Sequence, residues 1–125
     1  MNSKPIIIVG GEPNSIFLEI YFKILKTMKI KSPLILITSE KLLKLHMKKL
    51  KFRRKIRFLD KISLKKYNLD NKSINLINVD YKLDKKLGKI SKKSNLFIKK
   101  SFEIAFKILK ENKIKRFING PISKK

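Results

Sequence analysis

The sequence contains no cysteine and a single histidine, His46. The absence of cysteine excludes disulfides and thiolate metal sites, and one histidine cannot form a histidine cluster for zinc or iron. Asp60, Asp70, Asp80 and Asp84 lie in or beside predicted loops, at spacings that match no calcium-binding loop. We therefore assign no catalytic residue and no metal ligand, and interpret His46 as an ordinary helix residue.

Long apolar runs are also absent. No stretch approaches the ~18 residues that span a membrane, and the apolar run near the N-terminus is too short for a signal peptide. The 125 residues, 42% of them hydrophobic, suit one domain with a packed core. These features predict a soluble, cytoplasmic protein without a membrane partner.

Arginine is scarce although the formal net charge is +24. Of 33 basic residues, only Arg53, Arg54, Arg57 and Arg116 are arginines, and the lysines are spread over every segment. Readers of nucleic-acid sequence usually rely on arginine for bidentate contacts. We attribute the lysine content mainly to a gene rich in A and T, and predict no specific nucleic-acid partner, with weak, salt-sensitive binding at most.

The chain is organised around residues 5–15, which combine two of its four glycines with a proline. Ile6–Val9 reads as a strand buried on both faces, and Gly10 and Gly11 permit a tight turn or the close approach of a ligand. The third glycine of a dinucleotide-binding fingerprint is missing. A helical pattern follows, with one apolar face made of Ile16, Phe17, Ile20, Tyr21, Ile24, Leu25 and Met28.

Strands and helices then alternate. Ser39 is the predicted N-cap of a second helix whose apolar residues are Leu42, Leu43, Met47 and Leu50. The long third helix has an apolar face of Ile98, Phe102, Ala105, Phe106 and Leu109. The predicted elements and connections are strands at 33–38, 55–59, 73–79 and 116–119, a helix at 92–112, an irregular segment at 60–72 and a loop at 80–91.

This alternation predicts an α/β fold, with a mainly parallel sheet and helices on both faces. We expect the first and last strands to be parallel and inside the sheet, so that the loops after them meet at one edge. The N-terminus of the first helix would suit a phosphate or carboxylate there, with Glu12 orienting its loop or merely capping it. The candidate substrate- or cofactor-side residues are Gly11, Glu12, Pro13, Asn119, Gly120, Pro121 and Lys124.

Four segments resemble the 4-hydroxythreonine-4-phosphate dehydrogenase family. Residues 11–16 resemble its Gly-Glu-Pro-Ala-Gly-Ile signature, with Glu19 matching an acid that follows, and residues 39–43 fall where its second helix begins. Residues 88–91 resemble its Gly-Lys-hydrophobic-Ser segment, and residues 119–124 its Thr-Gly-Pro-Ile-Asn-Lys loop. The segments occur in the family's order. The departures from the family pattern are Val9, Ser15, Phe17, Leu18 and Asn119.

The resemblance implies an isocitrate/isopropylmalate dehydrogenase-like fold and an NAD(P)-dependent oxidation of 4-phosphohydroxy-L-threonine followed by decarboxylation, in pyridoxal 5'-phosphate (vitamin B6) biosynthesis. The full-length family is a homodimer that uses NAD or NADP and a divalent metal (zinc, magnesium or cobalt). Its metal-binding histidines and phosphate-contacting residues correspond to positions beyond Lys125. We therefore expect residues 1–125 to be the N-terminal part of one dehydrogenase domain, inactive alone and not fully binding either cofactor.

Two alternative functions are also compatible with the sequence. The chain would also suit a basic α/β module that binds nucleic acid or acidic surfaces. It would equally suit a small domain that binds a phosphate or nucleotide through Gly10, Gly11 and Gly120.

Overall fold

Strands and helices alternate along the computed structural model, which describes residues 5–10, 17–59, 69–80, 92–114 and 116–119. The strands are β1 (Ile6–Val9), β2 (Leu34–Thr38), β3 (Ile56–Phe58), β4 (Ile74–Asn78) and β5 (Phe117–Asn119). The helices are α1 (Phe17–Thr27), α2 (Glu40–Lys49) and α3 (Lys92–Glu111). Each predicted strand and helix is confirmed, with ends shifted by a few residues at most.

The five strands form one sheet in the order β3-β4-β2-β1-β5, and every pair is parallel. Ile7 of β1 lies opposite Ile35 of β2 on one side and opposite Phe117 of β5 on the other. The all-parallel pairing confirms the predicted α/β class. It also places the carboxyl ends of all five strands along one edge of the sheet.

Helices cover both faces, as predicted. Alternate strand residues such as Ile8, Leu36 and Leu76 pack with buried side chains of α1 and α2. The other face, which includes Ile7 and Ile37, packs against α3. The chain crosses the sheet in one direction from β1 to β2 and in the opposite direction from β4 to β5. Since parallel crossovers are right-handed, these two connections must lie on opposite faces.

The buried face of α1 differs from the predicted one. Leu18, Tyr21, Phe22 and Leu25 are buried, whereas the predicted core residues Ile20 and Met28 are 45% and 59% exposed. The helix is thus rotated by roughly one residue position (~100°) from the predicted orientation. Apolar residues occupy most of its circumference, and periodicity alone does not select among several apolar faces.

Two further expectations at the other end of the chain are wrong. Among the described strands β5 is an edge strand rather than an internal one, and its Ile118 is 47% exposed. On α3, Ile98 and Ala105 are buried as predicted, whereas Phe106 is 57% exposed. The reason is common to both: among the described residues, no further strand or helix covers the outer side of β5.

Asn71 ties together the segments that lead into β2 and β4. Its Oδ1 accepts a hydrogen bond from the Leu34 N–H at 2.8 Å, and its Nδ2 donates to the carbonyls of Ile30 and Ser32 at 3.2 and 2.9 Å. Its own carbonyl accepts from Arg54 Nη1 at 2.8 Å. One side chain therefore holds the start of β2 at three backbone groups.

Arg54 extends this bracing to α1. Its Nη2 donates to the Leu25 carbonyl at 3.3 Å, near the end of the helix, and its guanidinium lies 5.5 Å from the centre of the Phe52 ring. The Phe52 ring stacks on Phe22 of α1 at 4.5 Å. Burial raises the pKa of the nearby Tyr21 phenol above its ordinary value, an effect that the Arg54 charge partly offsets.

Two helices end in the same C-terminal cap, each with a lysine where glycine is usual. In α2, Phe52 N–H donates to the Met47 carbonyl and Lys51 N–H to the Lys48 carbonyl. In α3, Ile114 and Lys113 make the corresponding bonds to Leu109 and Lys110. Both bond pairs define a Schellman motif, and the lysines Lys51 and Lys113 have φ of 54° and 52°.

Replacing either lysine by glycine should stabilise the protein. Because glycine has no Cβ to strain this left-handed conformation, we expect Lys51→Gly and Lys113→Gly each to raise the free energy of unfolding by about 1 kcal/mol. Urea titration measures the change. Lys51→Ala is the matched control, since it removes the same charge and keeps the Cβ. Equal effects of alanine and glycine at this position would contradict the explanation.

Candidate functional site

The ends of β1 and β5 lie side by side at the carboxyl edge of the sheet. Val9 is opposite Asn119 in the register of the two parallel strands. The loops predicted to carry the site therefore start from neighbouring positions. Of the candidate residues, the backbone of Asn119 is placed here, whereas Gly11, Glu12, Pro13, Gly120, Pro121 and Lys124 lie outside the described residues. Whether their side chains share one cleft stays a prediction.

Gly10 packs directly against β2 where β1 ends. Its N–H donates to the Ile37 carbonyl at 3.1 Å. A Cβ added at Gly10 would lie 3.0 Å from Thr38 Oγ1 and 3.2 Å from Thr38 Cβ, in a place where Thr38 is itself buried. The sequence suggested either a tight turn or the close approach of a ligand for this glycine. The structure shows a different reason, the close approach of a neighbouring strand.

The N-terminus of α2 opens at the same edge and is capped by the chain's own groups. The Leu42 N–H donates to Ser39 Oγ at 3.4 Å, which confirms the predicted N-cap. The Glu40 N–H donates to Asn78 Oδ1 at 2.8 Å, and Asn78 Nδ2 donates in turn to Asp80 Oδ1 at 3.3 Å. These bonds use donors that would otherwise attract an anion. Asn78 and Ser39 therefore occupy two of the backbone donors at the α2 terminus.

Thr38, Asn78 and Asp80 lie at this edge and were not predicted as site residues. Thr38 and Asn78 are the last residues of adjacent strands, and β2 and β4 pair in register there. A polar residue at the end of an otherwise apolar strand was the available signal. It is a weak signal, because the order of the strands in the sheet is needed to bring these residues together.

Charge at the edge is mixed. Glu40 forms an ion pair with Lys44 one turn further along α2, with 2.6 Å between Oε2 and Nζ. Exposed ion pairs of this kind contribute little stability. The carboxylate of Glu40 does, however, place a negative charge in the first turn of α2.

His46 has the structural role predicted for it. It is partly buried in α2, and its Nδ1 lies 3.0 Å from the Leu42 carbonyl one turn earlier. Across the described ranges, no three His, Asp or Glu side chains lie together so as to hold a metal ion. The divalent metal implied by the family resemblance thus has no complete ligand set in that part of the chain.

A separate groove of about 200 Å³ lies between α1 and the residues that follow α2. Its lining runs along α1 from Glu19 in the first turn to Lys26 in the last, and includes Lys51 and the stacked rings of Phe22 and Phe52. The residues after α2 lead into β3, so this side of the groove lies towards the amino ends of the strands rather than their carboxyl ends.

In the described part of the chain, no helix is long and apolar enough to cross a membrane.

No protein-family model and no curated protein matches this sequence. Solved structures do match the fold. The 4-hydroxythreonine-4-phosphate dehydrogenase from Burkholderia phymatum aligns with 96% of the chain at a TM-score of 0.81 and 17% identity. The enzyme of the same name from Klebsiella pneumoniae aligns with 97% at a TM-score of 0.80 and 18% identity. The chain spans 37% and 38% of their respective lengths and matches an N-terminal portion.

These similarities agree with the resemblance read from the four sequence segments. They confirm the isocitrate/isopropylmalate dehydrogenase-like α/β fold predicted from it. At this level of identity the likeness establishes the fold.

Proposed function

We propose that residues 1–125 form the N-terminal part of an NAD(P)-dependent dehydrogenase that acts on 4-phosphohydroxy-L-threonine. The observation that carries the proposal is the alignment of 96–97% of the chain with dehydrogenases of that substrate class. The sequence supports it independently, because four family-like segments occur in the family's order. The proposal places the protein in the cytoplasm, in pyridoxal 5'-phosphate biosynthesis, as a homodimer.

In the complete enzyme the substrate hydroxyl is oxidised to a ketone, and the resulting β-keto acid loses carbon dioxide. Bound NAD or NADP would accept the hydride, and a bound divalent metal would polarise the hydroxyl and carboxylate. The part proposed for this chain is to build one wall of the substrate cleft. Gly11, Glu12 and Pro13 would contribute from the loop after β1, and Asn119, Gly120, Pro121 and Lys124 from the loop after β5.

The described residues support this arrangement through the backbone. The contact between Gly10 and Thr38 supports a defined starting point for the first loop, and the register of Val9 with Asn119 brings the starting points of the two loops side by side. Asn78 and Ser39 occupy donors of α2. We therefore assign the phosphate or carboxylate of the substrate to the N-terminus of α1 rather than to that of α2.

A chimera tests the proposal. Residues 1–125 replace the matching N-terminal portion of the Klebsiella pneumoniae enzyme, and formation of NAD(P)H from 4-phosphohydroxy-L-threonine is followed by absorbance. We expect measurable turnover above that of a chimera carrying Glu12→Ala, Asn119→Ala and Lys124→Ala. A chimera that folds cooperatively and dimerises but neither binds nor oxidises the substrate would count against the proposed function.

The 125-residue chain alone should form no NAD(P)H in the same assay, because it spans less than two fifths of the enzymes it resembles. The intact Klebsiella pneumoniae enzyme is the positive control. Turnover by the purified chain, abolished by heating and scaling with its concentration, would show that residues 1–125 suffice.

A further inference from the structure

The groove between α1 and the residues that follow α2 carries an excess of positive charge. Its described lining contains three lysines, Lys23, Lys26 and Lys51, and one acid, Glu19, which together leave a net charge of +2. Among the described residues these lysines form no ion pair, although Glu19 precedes Lys23 by one helical turn. A phosphate monoester, whose charge at neutral pH is about −1.5 to −2, would balance the excess.

The excess lies towards one end of the groove. Glu19 is in the first turn of α1 and Lys26 in its last turn, which places the two residues about 10 Å apart along the helix axis. Lys23 lies between them, one turn from each. Because the interaction of two charges weakens with distance, an anion near Lys23 and Lys26 is attracted more strongly than it is repelled by Glu19.

The carbonyl groups at this end of the two helices, which would repel an anion, already accept hydrogen bonds. The Leu25 carbonyl accepts from Arg54 Nη2 at 3.3 Å. The Met47 and Lys48 carbonyls accept the two bonds of the α2 cap at 2.9 and 3.3 Å. Since these groups are bonded within the chain, the partial negative charge that helix C-termini present is reduced here.

The apolar wall of the groove is held in a fixed position. Phe52 stacks on Phe22 with the ring centres 4.5 Å apart, and the Arg54 guanidinium lies over the Phe52 ring at 5.5 Å. With these groups over its faces, Phe52 presents its ring edge and offers no face on which a nucleic-acid base could stack. Aromatic edges carry partial positive charge, so they suit the face of another ring or an anion. Leu50, which is 39% exposed, adds aliphatic surface.

The volume of the groove limits the size of a ligand. A volume of about 200 Å³ equals the share of roughly seven water molecules at ~30 Å³ each. This room suits a single ring that carries one phosphate group. Pockets for drug-sized ligands begin at about 300 Å³, so a dinucleotide would extend well beyond this groove.

We propose that the groove binds a small aromatic phosphate monoester. The phosphate lies among Lys23, Lys26 and Lys51, and the ring packs against Leu50 and the edge of Phe52. None of the described lining residues belongs to the loops proposed for the substrate cleft. This binding is therefore independent of the proposed dehydrogenase function.

The probe is phenyl phosphate, titrated at low ionic strength into the ¹⁵N-labelled 125-residue chain, with the backbone amide shifts as the readout. We expect saturable shifts at Lys23, Lys51 and Phe52, with a Kd on the order of 1 mM. Inorganic phosphate, which lacks the ring, should bind at least about fivefold more weakly, and phenol, which lacks the charge, should not saturate.

Two lysine variants locate the site. Lys51→Gly should weaken binding about fivefold, although the glycine suits the left-handed backbone at this position and is expected to stabilise the fold. Lys113→Gly is the matched control, because it removes the same charge from the same cap conformation at a residue outside the described groove lining. Its effect should be under about twofold.

A third variant should bind more tightly, which loss of structure cannot produce. Glu19→Gln removes the acid from the described lining, and we expect it to strengthen binding of phenyl phosphate about two- to threefold at low salt. Equal binding of inorganic phosphate, an equal loss in Lys113→Gly, no gain in Glu19→Gln or the absence of saturable shifts at the groove would each overturn the proposal.

Discussion

Replacing Asn71 with alanine should lower the free energy of unfolding by about 3 kcal/mol. The substitution leaves the Leu34 N–H and the carbonyls of Ile30 and Ser32 without their side-chain partner. Each partly buried polar group that loses its hydrogen bond costs about 1 kcal/mol or more, and three are lost together. The bond from Arg54 to the main-chain carbonyl of Asn71 does not depend on the side chain and should persist.

Urea unfolding followed by circular dichroism measures the loss. Asn78→Ala is the control, because it also removes an amide but leaves a single exposed backbone donor, that of Glu40, without its bond. Its expected cost is about 1 kcal/mol. If the two alanine variants were equally stable, the bracing role assigned to Asn71 would be wrong.

Gly10→Ala should destabilise the protein by about 2 kcal/mol, because the new methyl group meets Thr38 at 3.0–3.2 Å in a buried place. The cost is one of overpacking between β1 and β2. A second change that removes the nearer of the two obstructing atoms, Thr38 Oγ1, should relieve it in part. In the Thr38→Ala background, where Oγ1 is gone, we expect Gly10→Ala to cost about 1 kcal/mol less than in the unmodified chain.

A double-mutant cycle on the four variants measures this coupling by chemical denaturation. Additive effects of Gly10→Ala and Thr38→Ala would mean that the contact with Thr38 Oγ1 is not the cause. The result also bears on the function. A glycine that serves packing between strands constrains where the following loop begins, whatever that loop binds.

The strands were predictable because their signal is local. β2 is buried at all five positions, and a continuous apolar run of that length reads as a strand covered on both faces. The start of α2 was equally predictable, since Ser39 is a strong N-cap. The buried face of α1 was not, because Ile20 fits the apolar period as well as the residues that are buried. On α3 the predicted face is correct except for Phe106, which is exposed.

The role of Asn71 could not be predicted from the residues around it. It lies in a polar segment without periodicity, and its hydrogen bonds go to three backbone groups some forty residues earlier. The contact of Gly10 with Thr38 likewise requires the register of β1 against β2. The candidate loop residues were named from motifs, and the structure adds the adjacency of Val9 and Asn119, the positions from which those loops start.

The place of β5 beside β1 has a consequence for biosynthesis. β1 is made before its two neighbours, and β5 follows much later than β2, since residues 39–116 separate the two. At about 5–20 residues per second, a ribosome needs roughly 4 to 16 s to supply that stretch. During this interval the nascent chain presents an apolar strand with an unpaired side. Pairings between such distant segments form slowly, so this edge of β1 is where we expect a chaperone to bind the newly made chain.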